Sequence, residues 1–123
     1  GAKNLSDFAV RGAEAEVEES VTAAVRSTHS MGKPIGFICI TPASVGALTL
    51  GGDGVELTIG DDSDTASAVV QCGAKHTNCL VDDVVVDLEH KVVSTPAYML
   101  GPGVSDVRNG ISKLVNEVLA LSN

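Results

Sequence analysis

The sequence predicts an α/β fold, a parallel sheet with helices on both faces. Three observations point there. Residues 35–40 form a short apolar run bounded by Gly and Pro, as buried parallel strands do. Residues 84–87 and 91–94 are β-branched runs joined by Leu88-Glu89-His90, which reads as a hairpin. Stripes at helical spacing alternate with these strands: Val17, Val21, Ala24, Val25 and Thr28, then Val104, Val107, Ile111, Leu114, Val115, Val118 and Leu121.

Taken in order, residues 1–13 have no period and read as loop, although Leu5, Phe8 and Val10 need cover. Glu14, Glu16, Glu18 and Glu19 open a helix, where acidic residues complement the macrodipole, and Gly32 stops it. After the first strand, residues 42–48 form a short helix with Pro42 in its first turn, where a missing N–H costs nothing. Gly51-Gly52-Asp53-Gly54 is a turn and not a phosphate loop, because it follows a helix and opens a strand. Residues 55–59 form the next strand. Asp64 is expected to cap a helix over residues 65–72, ended by Gly73. The acidic run 61–64 lacks the Gly and Glu spacing of a calcium loop. Residues 74–80, with His76, form a strand. The last helix runs over residues 103–121, and Gly110 within it predicts close packing against a neighbour.

Composition narrows the function. The chain has 123 residues, enough for one domain with a real core. No Trp, one Tyr and two Phe leave the core to aliphatic side chains. A formal net charge of −8 repels phosphate backbones and anionic lipid, so neither nucleic acid nor a membrane surface is an expected partner. No apolar run has the length of a membrane span. Three cysteines without zinc-type spacing read as reduced thiols in a reducing compartment, cytoplasmic or, in a eukaryote, mitochondrial. No cofactor and no metal is expected.

Cys39 is the candidate catalytic residue. It ends the strand, and Pro42 starts the next helix. The cysteine therefore sits at a sharp turn with its sulfur toward the positive end of that helix, the setting that activates a thiol. The backbone N–H groups of Ile40 and Thr41 are the candidate oxyanion donors. This is a nucleophile elbow with Cys in place of Ser. The competing reading is inert packing, the fate of most buried thiols. A cysteine nucleophile usually needs a base. His29 and His90 read as surface residues, which leaves His76 as the candidate base.

These residues carry a resemblance. Gly1-Ala2-Lys3-Asn4-Leu5, Gly32-Lys33-Pro34-Ile35-Gly36-Phe37-Ile38-Cys39-Ile40, Leu57-Thr58-Ile59-Gly60, Val81-Asp82-Asp83 and residues 91–100 resemble the ElbB-like branch of the ThiJ/PfpI superfamily, along essentially the whole chain. The resemblance implies a flavodoxin-like fold related to class I glutamine amidotransferases, with residues 1–123 the C-terminal portion of one such domain. It implies a dimer and a glyoxalase-like or deglycase-like lyase that turns glyoxal into glycolate through Cys39. Ile40 stands where many relatives carry His, and Pro96 is followed by Ala97, Tyr98 and Met99 where glutamine amidotransferases carry His and Glu. That argues against glutaminase activity. Relatives begin with further strands, so an open sheet edge, a further N-terminal segment or a homo-oligomer is expected. The alternative function is a non-catalytic binding or redox-sensing protein on the same fold, motivated by the missing base.

Overall fold

The computed structural model describes residues 2–100 and 103–122. Strand β1, Ile35–Ile38, pairs in parallel with β5, Val92–Thr95, in the register Ile35 to Val92 and Ile38 to Thr95. Strand β4, Val85–Asp87, returns antiparallel to β5, as the hairpin reading requires. A second sheet pairs β2, Glu56–Leu57, in parallel with β3, Lys75–His76. The first sheet is thus mixed, while the second is parallel. Among the described residues β1 has a strand neighbour on one side only.

Both strands of the second sheet are shorter than the sequence predicts. Side chains take over part of β2's ladder: its Glu56 N–H donates to Asp87 Oδ2 at 2.8 Å, and the following Thr58 N–H donates to Ser94 Oγ at 2.9 Å. These bonds fasten the second sheet to β4 and β5. The core lies between the sheets and the elbow helix. Phe37, Ala43, Val45, Leu50, Leu57, Ile59, Val69 and Val92 are its buried members.

The N-terminal stretch differs from a loop. It holds α1, Phe8–Arg11, between 3-10 turns at Ala2–Asn4 and Gly12–Glu14. Leu5 and Phe8 pack on the core, so they find cover within the chain; Val10 stays 88% exposed. Helix α2, Glu19–Ser30, starts later than the acidic cluster suggests. Glu18 is its cap, accepting from the N–H of Ser20 and Val21. Glu14 and Glu16 precede the helix, because Val17 bridges to Ser6 in a short antiparallel contact.

Helix α4, Ser63–Gln71, is capped by Asp62, whose Oδ2 accepts from the Thr65 N–H at 2.9 Å and from its hydroxyl at 2.6 Å. The expected cap, Asp64, lies inside the first turn. Helix α5, Val104–Leu121, buries Val107, Gly110 and Leu114. A Cβ at Gly110 would lie 2.4 Å from the Val81 carbonyl oxygen and 2.9 Å from Thr95 Oγ1, which is the close packing that the glycine predicts.

Candidate active site

Strands β1 and β5 end side by side, and the chain leaves each of them through strained backbone. Cys39 has φ +68 and Ala97 has φ +47. Left-handed conformations are costly for residues with a Cβ and persist where the surroundings enforce them. Here the enforcement is visible. The Cys39 N–H donates to the Thr95 carbonyl at 3.0 Å, continuing the ladder one residue past β1. Thr41 then folds back on the strand. Its Oγ1 accepts from the Ile38 N–H at 2.9 Å and donates to the Ile38 carbonyl at 2.7 Å. The turn is closed by a single side chain.

Beyond it, Pro42–Ala47 forms a π-helical segment that continues into α3, Leu48–Leu50. Sequence predicts a short helix here; the wider winding is not legible from residue types. Segments of this kind recur at functional sites. Pro42 sits in the first turn, as expected. Thr41 is already helical at φ −64, ψ −25, so Ile40 and Thr41 occupy the turn between sulfur and helix. The Ile40 carbonyl accepts from the Ala43 and Ser44 N–H groups. Cys39 is half-buried.

Of the predicted site residues, the structure brings together Cys39, Ile40 and Thr41. His76 lies on β3 in the other sheet. Its Nε2 accepts from the Ile59 N–H at 3.2 Å, and burial lowers its pKa. It lines a cleft with Ala66, Ser67, Val70 and Gln71, none of them an elbow residue.

The other two thiols sit in settings that hold their protons. Burial raises the pKa of Cys72. Burial, with the carboxylates of Asp83 and Asp82 nearby, pushes Cys79 up to about 11. No group of three or more His, Cys, Asp or Glu is placed to hold a metal ion among the described residues. Among them, too, no helix is long and apolar enough to cross a membrane.

A cavity of about 390 Å³ adjoins the elbow. Ile40 and Ser44 form one wall, and Ala2, Lys3, Ser6, Phe8 and Ala9 form the other. The N-terminal stretch is therefore part of the site's surroundings.

No family model matches the chain. The human "Glutamine amidotransferase-like class 1 domain-containing protein 3, mitochondrial" is 37% identical to it over 130 residues, covering 98% of the chain and 47% of that protein. The rat "ES1 protein homolog, mitochondrial" is also 37% identical, covering 98% of the chain and 48% of its own length. In structure the chain resembles an isoprenoid biosynthesis protein with an amidotransferase-like domain from Ehrlichia chaffeensis. The TM-score is 0.80 at 29% identity, over 88% of the chain and 50% of that one. In sequence and structure the chain is similar to these glutamine amidotransferase-like proteins. It spans about half the length of the relatives it matches. The fold is the amidotransferase-like, flavodoxin-type α/β arrangement, in line with the ThiJ/PfpI resemblance of the sequence.

One cluster of this amidotransferase-like chain escapes sequence reasoning. His29 and His90 are not independent surface residues. Their rings stack with centroids 6.0 Å apart, and both are largely covered. His90 Nδ1 lies 2.8 Å from Asp87 Oδ2, and His29 Nε2 lies 3.7 Å from Asp53. Asp87 is the centre of this cluster. Burial alone would raise its pKa, but bonds from the Glu56 N–H and from the His90 N–H and ring outweigh burial and hold it below the ordinary value. The only sequence signal was the Asp87-to-His90 spacing across the hairpin.

Proposed function

We propose that the chain carries the nucleophile of a cysteine-dependent, glyoxalase-like reaction on small 2-oxoaldehydes. The observation that supports this most is the left-handed Cys39 at the end of β1, locked by Thr41 and Thr95. A residue held in such backbone at the turn from a strand into a helix has the geometry of an elbow nucleophile.

In this reading the Cys39 sulfur bonds to an aldehyde carbon of glyoxal, and the thiol proton goes to that carbonyl's oxygen. The Ile40 and Thr41 N–H groups stabilise the oxygen as it gains charge. A proton then leaves the sulfur-bearing carbon and one returns at the adjacent carbon, while the hydroxyl proton passes to the second oxygen, which leaves a glycolyl thioester. Water breaks the C–S bond, giving glycolate and restoring the thiol. The proton shift needs a base. His76, whose Nε2 already accepts from the Ile59 N–H, is poorly suited to that task. No cofactor enters this scheme. We place the protein with its relatives in a reducing compartment, mitochondrial or cytoplasmic.

Glyoxal consumption by the wild-type protein and by Cys39→Ser tests the reading. Turnover in the wild type and a loss of at least about a hundredfold in the variant are expected. Equal rates would remove the proposal. A thiol that oxidises reversibly with no turnover of any 2-oxoaldehyde would favour a redox-sensing role instead.

A further inference from the structure

We infer that the cavity beside the elbow receives the carbon chain of the substrate, so that the preferred 2-oxoaldehydes carry an unbranched alkyl group and glyoxal is a poor representative of the class. The inference rests on Cys39 being the nucleophile, and it adds what the rest of the substrate looks like. The cavity begins one residue from Cys39, at Ile40, and holds about 390 Å³. That is room for on the order of ten water-sized groups, far more than a two-carbon dialdehyde needs.

Its walls are Ile40, Phe8, Ala2 and Ala9, with Lys3, Ser6 and Ser44 as the polar members. Ser6 is already engaged, because its Oγ accepts from the Phe8 N–H at 3.2 Å. Ser44 is 3% exposed, and its hydroxyl is shut off from solvent and from the cavity. An alkyl 2-oxoaldehyde complements the cavity, because its chain covers the apolar walls. Glyoxal, small and strongly hydrated, leaves the apolar walls uncovered. Each methylene moved from water onto such walls tightens binding by about fourfold.

Two measurements separate this inference from the catalytic reading. The first is kcat/KM for glyoxal, methylglyoxal, and the ethyl, butyl and hexyl homologues. A rise of about fourfold per methylene up to the butyl or hexyl compound is expected; a flat or falling series, with glyoxal turned over, overturns the inference and leaves the catalytic reading intact. The second uses no chemistry. Butanol, hexanol and octanol are titrated into the Cys39→Ser protein, with the NMR signals of Ile40 and Ala9 as readout. Saturable shifts that tighten with chain length, and that disappear in Ala9→Phe, are expected. Ala9 is on the exposed side of α1, so its replacement leaves the core alone; circular dichroism checks the fold. Absence of chain-length-dependent binding overturns the inference. Such binding with no turnover of any oxoaldehyde keeps the alkyl cavity and removes the enzyme.

Discussion

Two residues organise the chain at the smallest scale. Cys39 was legible in the sequence because an apolar run ended in it and Pro42 followed. Its left-handed backbone, and the Thr41 side chain that closes the turn, were not legible, since both depend on the strand returning beside itself. The bond from Asp87 to the Glu56 N–H was not legible for a related reason: the two lie 31 residues apart. Asp87 accepts three hydrogen bonds, and folding lowers its pKa. A carboxyl of that kind stabilises the fold fully above its unfolded pKa, near 3.8, and the contribution is lost as pH falls through the lower folded value. Asp87→Ala, which leaves the Glu56 and His90 N–H groups unpaired, is expected to cost about 2–3 kcal/mol at neutral pH. Urea unfolding measured from neutral pH down to about pH 2 checks it, since the gap between wild type and variant should narrow below about pH 4. A gap that is independent of pH would assign the loss to packing alone.

At the scale of elements, helix α5 is tied to the elbow through Gly110. A Cβ there would meet the Val81 carbonyl at 2.4 Å and Thr95 Oγ1 at 2.9 Å, and the Thr95 carbonyl is the acceptor for Cys39. Gly110→Ala should therefore destabilise the protein by about 1–3 kcal/mol through overpacking, although alanine favours an open helix by about 1 kcal/mol. It should also slow Cys39 alkylation or turnover, because the clash falls on the strand that holds the elbow. Thermal melts with iodoacetamide labelling read both effects; an unchanged melting temperature would contradict the packing argument. The glycine announced itself in the sequence as a break in a good helix. The cap of α4 did not: Asp61, Asp62 and Asp64 crowd its start, and only the turn geometry selects Asp62. The strands of the second sheet were read too long, because Asp87 and Ser94 side chains stand in for part of the β2 ladder.

For the whole molecule, the alternation of strands and helices gave the α/β class, and the hairpin gave the antiparallel β4. The split into two sheets followed from those side-chain bonds and had no sequence signature. The acidic surface is set by 16 Asp and Glu against 8 Lys and Arg. Leu5 and Phe8 are satisfied within the chain, so they no longer argue for a partner. Other features do: β1 pairs on one side only among the described residues, and Val104, Val115 and Leu119 of α5 are 75%, 46% and 59% exposed. We propose self-association, a small even oligomer held by apolar contacts and kept from unspecific clumping by charge. Light scattering checks it; a monodisperse monomer across the working concentration range would show it to be wrong.

The most direct test of the account as a whole is to catch the covalent intermediate. The protein is mixed with glyoxal, quenched in acid within the first turnover, digested, and its cysteine peptides weighed. Catalysis at Cys39 predicts a glycolyl-sized mass increase on the Cys39 peptide that decays as glycolate appears, with Cys72 and Cys79, whose pKa burial raises, unmodified. Glycolate formed without any adduct on Cys39, or an adduct confined to Cys72 or Cys79, would contradict it.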